Sequence, residues 1–562
     1  MKDFIKGFVI NPEEINTLYP QQHTSTTRGT TNDIEYLIIT SEDLKESFLP
    51  LKAWKIKKGV KTEILSTNYI YSNYTGSTNQ IKIKKCLQDY YENKNLKWAL
   101  LGGDNTIVPV QMCYIQNGST TNNTPCDLFF ACFDNAYDWD ANGNGIAGET
   151  GDNVDMSPEI YISRLPIRNS EQAISFVNKL LKYETNPATS NYVKKILLTG
   201  TQLFMTWNGQ SDAHQRSEVM YNQNILPFWN GTKYRFYDTG TDFTGDAAYD
   251  LNSSNLHAQI SKGYHFLHMA THGLTTSWSM ETGFSYVSTD ASVLQNENAS
   301  IIVTTACHTN GFDQTTDPCL SEAFIRNPKG ACVAYWGGSR QGWGTVGETL
   351  LLSGSFQYDA MFYNMLFNGL PSSDSYKFAA VTSAAKQQFI ASSSSYSSMR
   401  WVQFSMNAIG DPEMPIYTEN PLSFSNSTVS QSGTTVTVNT GGIVSCTIAL
   451  TSMDFGTTYF EVKKNVSNTS FTNVNCPYYV TITKHNYIPY QYPEDVYIQN
   501  FTFNNDAYVT GRNIYVGNNV QPSLPQGDVI IKNGVNVIFD AKQDVNFDSG
   551  FETELGGTFE VR

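Results

Sequence analysis

The sequence predicts an α/β protein with two parallel-sheet subdomains, then an all-β sandwich and a small C-terminal β domain. Three observations carry this. Short continuous apolar runs alternate with helix-like stretches, as buried parallel strands and their crossover helices do. That alternation occurs twice, with an Asp-, Asn- and Gly-rich stretch at residues 127–168 between the two rounds. After about residue 420, Ser, Thr, Val and Asn take over, and short alternating runs sit between turns.

The elements follow in order. Residues 1–30 form a polar, turn-rich arm ending Thr-Ser-Thr-Thr-Arg-Gly-Thr-Thr at residues 24–31. Exposed Arg28-Gly29 is the kind of segment proteases nick, and a tethered arm near a cleft competes with substrate. In the first subdomain, residues 31–190, strands are expected at Glu35–Thr40, Lys61–Leu65 and Trp98-Ala-Leu-Leu, with helices over Ser41–Lys58 and Asn79–Glu92. In the second, residues 191–420, strands are expected at Lys195–Thr199, Tyr264–Met269, Ile301–Ala306 and Ala331–Trp336, and a helix at His214–Asn224. Thr434-Thr-Val-Thr-Val and Tyr478-Tyr-Val-Thr-Ile-Thr mark a sandwich over 421–500. Residues 501–562 repeat strand, Gly turn, strand, which reads as a short β-solenoid.

Composition excludes several function classes. The chain has 562 residues, a prior of about three to five domains. It carries 37 Lys and Arg against 52 Asp and Glu, a net charge of −15. That disfavours nucleic acid, which needs a basic footprint, and a polybasic membrane anchor. No apolar run reaches the ~18 residues of a membrane span. The N-terminus has no apolar stretch of signal-peptide length, so either the protein is cytosolic or a leader has been removed. The polar, aromatic-rich composition points to a secreted bacterial protein. Nine cysteines are an odd number and no dense disulfide framework. Cys446 and Cys476 share the sandwich, and their pairing is left open. Cys113, Cys126 and Cys132 have no recognised metal spacing.

Chemistry gathers at strand ends. Tyr264-His-Phe-Leu-His-Met-Ala-Thr-His272-Gly273 runs apolar and breaks at His-Gly. Ile301-Ile-Val-Thr-Thr-Ala-Cys307-His308 runs apolar and breaks at Cys. A His at one strand end and a Cys at the next is the layout of a thiol activated by an imidazole. Gly273 lets a backbone N–H approach a substrate carbonyl. The bland alternative is a structural Cys and a strand-terminal His. His265, His268 and His272 do not read as a zinc cluster, because positions three apart on a strand face opposite ways.

One metal signal is sharper. Asp138-Trp-Asp140-Ala-Asn142-Gly143-Asn144-Gly-Ile-Ala-Gly-Glu149 matches the twelve-residue calcium loop. Asp138, Asp140 and Asn142 supply positions 1, 3 and 5, Asn144 a carbonyl at 7, and Glu149 the bidentate acid at 12. Gly145 replaces the usual aliphatic at 8, and the flanks are not clean helices, so this is no paired EF-hand. A solvated acidic turn is the alternative.

The two strand ends together resemble the caspase–legumain–gingipain clan, and most of all its gingipain-like cysteine endopeptidases. Four more stretches agree: Pro158-Glu-Ile-Tyr-Ile-Ser-Arg-Leu-Pro166, Asp317-Pro-Cys-Leu-Ser-Glu-Ala-Phe-Ile, Gly338-Ser-Arg-Gln-Gly-Trp343 and Ala408-Ile-Gly-Asp-Pro-Glu-Met-Pro. The resemblance covers roughly residues 30–500. It implies a caspase-like catalytic region followed by an immunoglobulin-like sandwich. It further implies a secreted or surface enzyme that cuts polypeptides, with cell-surface association through the C-terminal β domains.

In that scheme Cys307 is the nucleophile, His272 the base, and Glu159 the carboxylate orienting it. Backbone N–H groups of Gly273 and Cys307 hold the oxyanion, and Trp343 and His308 line the substrate pocket. A basic P1 preference does not transfer: where a family acid is expected after the triad carboxylate, this chain has Arg168-Asn-Ser-Glu171-Gln. The other reading is a catalytically idle relative serving as an adhesin or assembly factor.

Overall fold

The computed structural model describes residues 33–204, 206–207, 210–237, 251–280, 283–315, 318–344, 353–369 and 374–562. The N-terminal arm, with Arg28-Gly29, lies outside the described residues. Thirteen strands of the first 420 residues matter for the site. They are β1 (Tyr36–Thr40), β2 (Thr62–Ser66), β3 (Trp98–Gly102), β4 (Tyr161–Leu165), β5 (Lys195–Gly200), β6 (Thr232–Tyr237), β7 (Phe266–Ala270), β8 (His272–Leu274), β9 (Ser277–Ser279), β10 (Ser285–Val287), β11 (Ser300–Thr304), β12 (Cys332–Gly338) and β13 (Met406–Gly410).

Ten of them form one sheet in the order β6-β5-β7-β11-β12-β13-β4-β3-β1-β2. The two rounds of alternation therefore share a sheet instead of building two. The joining strand, β13, comes last in the chain, pairs antiparallel with β12 and meets β4 through Ile409 and Arg164. Order along the sequence could not reveal this, because a late strand fills the gap between two earlier groups. β1, β3, β7, β11 and β12 are buried along their whole length, which is why their sequences are continuous apolar runs.

The expected helix over Ser41–Lys58 is a 3-10 segment, Glu42–Phe48, running into an α-helix, Leu49–Lys57, with Pro50 in its first turn. The helix at Asn79–Lys94 is capped by the Thr78 hydroxyl. On one face of the sheet, Phe48, Leu51, Phe176 and Leu180 from helices meet Ile38, Leu100 and Ile196 from strands. On the other, Leu87 and Tyr90 meet Ile39 and Leu101.

Beyond residue 420, two antiparallel sheets of three and four strands enclose Val436, Ile448, Leu450, Phe471 and Val480. Their strands run from Thr428 to Tyr492. From Val496 to Val561 three parallel three-stranded sheets stack, each turn of chain adding one strand to each. Ile498, Phe503, Val509, Val516, Ile531 and Phe539 fill the space between them. All nine cysteines are free, Cys446 and Cys476 included.

Candidate active site

Cys307 follows β11 by three residues, and His272 follows β7 by two. These strands are neighbours in parallel register, with Met269 level with Thr304. The two residues therefore leave the sheet at the same end. Gly273 shows how closely they approach. A Cβ there would sit 2.3 Å from the Cys307 carbonyl oxygen and 3.0 Å from the Ala306 Cβ, so only glycine fits. His272 itself is exposed.

The turn carrying Cys307 is pinned from below. His308 has φ +60°, a left-handed conformation for which histidine is better suited than a branched residue. Its N–H donates to the Arg340 carbonyl at 3.1 Å, and its carbonyl accepts Gly311 N–H at 2.9 Å. Asn310 Nδ2 donates to the carbonyls of Gly337 and Asn407, and Ser321 Oγ donates to Asn310 Oδ1 at 2.7 Å. A strained residue held by buried hydrogen bonds beside a reactive group is typical of active sites.

The thiol is partly buried. Burial pushes the Cys307 thiol up, and the Gly342 N–H, 3.1 Å from Sγ, and its own N–H pull it back down. Gly342 belongs to the strip after β12. Its missing Cβ would stand 3.8 Å from Sγ and 3.0 Å from both Ser355 Oγ and the Thr305 carbonyl. Sequence reasoning missed Gly342 as a partner of the thiol; the signal was a glycine just before Trp343 in a stretch already suspected of lining the pocket. Trp343 lies beside it, edge-on to Trp401 at 5.3 Å, and its N–H donates to Ser355 Oγ at 3.2 Å. Burial, with Arg340 nearby, lowers the His308 imidazole. Arg340 makes a bidentate pair with Asp313 and donates to the Asn123 carbonyl, fixing the strip to the Met112–Pro125 hairpin.

The structure does not bring Glu159 to this place. Register sets Tyr161, two residues on, level with Trp98 and Tyr36. Tyr36 OH donates to Asp411 at 2.5 Å, Lys55 bridges Asp411 and Glu184, and the adjacent Tyr183 bonds His265, just ahead of β7. The starts of β4, β1 and β7 thus share one end of the sheet, whereas Cys307 and His272 lie past the other. A five-residue strand separates them by about 16 Å. The Glu159 carboxylate accepts Phe133 N–H at 2.5 Å and makes no hydrogen bond to His272. Burial, with Asp155 and Asp134 adding to it, raises it to about 7 despite the Phe133 bond.

His265 and His268 serve the core. His265 bonds Tyr183 and the Val193 carbonyl, and burial lowers it to about 3. His268 meets Asp359 at 3.2 Å. Arg168 is paired with Asp104, and Glu171 is exposed on the first turn of the helix Ser170–Thr185.

In the acidic loop, Asp138 Oδ1 accepts Asp140 N–H, Asn142 Oδ1 accepts Asn144 N–H, and Gly143 takes φ +70°. Glu149 Oε2 accepts the side-chain amides of Asn142 and Asn144 at 3.0 and 2.6 Å. Asp140 Oδ1 is buried with no hydrogen-bond partner. That orphaned oxygen and the all-oxygen donor set suit a hard cation. Elsewhere, Glu184, Asp411 and Glu413 bring carboxylate oxygens within 4.8 Å of one another, and lysines hold them: Lys55 reaches all three.

A cysteine and a histidine leaving adjacent strand ends of an open α/β sheet form an arrangement that suits thiol chemistry. The profile of peptidase family C25 matches residues 29–417, and the chain belongs to that family. It is 24% identical over 317 residues to Lys-gingipain HG66 of Porphyromonas gingivalis, covering 54% of this chain and 16% of that protein. A second Lys-gingipain of the same species is 23% identical over the same length. The chain thus spans about a sixth of the length of these relatives. The fold is similar to the crystal structure of the Arg-specific cysteine proteinase gingipain R, with TM-score 0.61 at 18% identity, over 83% of this chain and 98% of that one. It is also similar to the complex of Porphyromonas gingivalis RgpB pro- and mature domains, with TM-score 0.60 at 18% identity, over 81% and 98%.

Proposed function

We propose that this chain hydrolyses peptide bonds through Cys307 and His272. The observation that carries the reading is the contact of Gly273 with the Cys307 carbonyl, which sets the imidazole-bearing strand against the thiol-bearing turn. Cys307 Sγ attacks the scissile carbonyl while His272 takes the thiol proton. The tetrahedral oxyanion collapses, the amine departs with the proton from His272, and water then releases the acyl group by the same route. Backbone N–H groups of Gly273 and Cys307 hold the oxyanion. Gly342 N–H steadies the thiolate, and Trp343 and His308 wall the pocket. No carboxylate is assigned to orient His272.

Asp138, Asp140, Asn142, the Asn144 carbonyl and Glu149 would hold a structural Ca2+, with Asp140 Oδ1 supplying the unpaired buried oxygen. The ion neutralises a crowded acidic loop and takes no part in the reaction. We read the sandwich as immunoglobulin-like. With the solenoid, it serves an enzyme that is secreted or held at a bacterial surface and acts on polypeptides. No helix among the described residues is long and apolar enough to cross a membrane.

The test is cleavage of a peptide library by the full chain beside Cys307→Ala and His272→Ala. Cleavage by the parent, lost in both variants, is expected. Cleavage that survives Cys307→Ala overturns the assignment.

A further inference from the structure

We propose that Leu274 forms an apolar subsite for the substrate residues on the leaving-group side of the scissile bond. This rests on the peptidase reading above.

His272 opens a small antiparallel sheet, β8-β9-β10. Its cross-strand rows are His272–Ser279–Ser285, Gly273–Trp278–Tyr286 and Leu274–Ser277–Val287. The middle row faces the core: Trp278 and Tyr286 are fully buried, and both pack on Phe324. Side chains alternate along a strand, so the first and third rows share the opposite face. His272 and Leu274 therefore project from the same side of β8, about 7 Å apart along the strand. Both are exposed, Leu274 at 61%.

A lone exposed leucine is ordinary. This one is set apart by its place. It is the next side chain along from the group that protonates the leaving amine, on the same strand and face. Its row-mates are Ser277 and the half-buried Val287, and the His272 row holds only serines besides the imidazole. β8 is the edge strand of its sheet, paired only with β9 among the described residues. An extended peptide continuing past the amine runs along that edge. An apolar side chain one or two residues beyond the cut meets Leu274, and both lose water on contact.

The experiment is digestion of a peptide library by the full chain and by Leu274→Ala and Leu274→Glu, reading residues on both sides of every cut. The parent is expected to favour Leu, Ile, Met or Phe at the first or second leaving-side position. Leu274→Glu is expected to lower kcat/KM for those peptides about tenfold and to shift that position towards Lys and Arg. Iodoacetamide labelling of Cys307, which needs no substrate residue, reports whether the site is intact. Unchanged leaving-side preferences with intact labelling overturn the Leu274 assignment alone, and so does a change confined to the acyl side. No cleavage by the parent, with Cys307 labelled, overturns the peptidase reading and this inference with it.

Discussion

Gly342→Ala is the substitution whose effect on the thiol follows most directly from the geometry. The new Cβ would stand 3.0 Å from the Thr305 carbonyl oxygen, a backbone atom that cannot swing away, and 3.0 Å from Ser355 Oγ. Relief requires the 342 backbone to retreat by a few tenths of an ångström. The Gly342 N–H to Sγ bond is already 3.1 Å and is stretched by that retreat. A hydrogen bond to a charged acceptor is worth about 1.5–3 kcal/mol, against about 1 for a neutral one. The thiolate therefore loses about 1 kcal/mol more than the thiol, which moves the Cys307 titration midpoint up by about 0.7 unit. The sign is fixed, because the N–H favours the anion and its loss leaves burial unopposed by that bond. The assay is the pH dependence of iodoacetamide alkylation at Cys307, followed by peptide mass spectrometry. Labelling below the midpoint should slow about fivefold. A midpoint unchanged within about 0.3 unit, in a folded variant, would refute the role given to this N–H.

Three further outcomes are expected. Lys55→Ala takes the lysine from buried Asp411 and leaves Glu184 and Glu413 to Lys58 and Lys377, and should cost about 3–5 kcal/mol in denaturant unfolding; a loss below about 1 kcal/mol would show the cluster relaxes. Glu159 is raised to about 7, so it is protonated in both states below about pH 4.5 and its ionisation weakens the fold as pH rises to 7. Glu159→Gln should therefore be more stable than the parent at pH 8, by up to about 3 kcal/mol, equal to it at pH 4, and still cleave peptides; a loss of turnover would return Glu159 to the catalytic machinery. Calcium should raise the melting temperature of the full chain, and Asp140→Ala with Glu149→Ala should remove the increment; identical melting curves in calcium and chelator would remove the ion.

Much of this was legible in the sequence because buried parallel strands write themselves as apolar runs. β1, β3, β7 and β11 are such runs, and the points where they break, His272 and Cys307, mark the site. β13 was not legible as the strand joining the two halves, since Met-Asn-Ala-Ile-Gly carries no strand pattern of its own and gains its place from β12. The motif around Glu159 placed a carboxylate next to a strand, but not at which end of that strand the chemistry lay. That depends on long-range pairs such as Tyr36 with Asp411, 375 residues apart. Gly342 likewise reaches Cys307 across 35 residues of sequence. The parallel solenoid was visible as a repeat, because each turn reuses the same short strand and Gly-turn chemistry.

The central claim is that Cys307 is the nucleophile, and titration of activity against alkylation tests it most directly. The full chain is treated with substoichiometric iodoacetamide near neutral pH. Residual peptide cleavage is plotted against the fraction of each cysteine modified. Cys307 should label first, with activity falling in proportion and reaching zero at one equivalent, while buried Cys86, Cys113, Cys319 and Cys332 stay unmodified. Full activity with Cys307 alkylated, or inactivation that tracks another cysteine, would contradict the account.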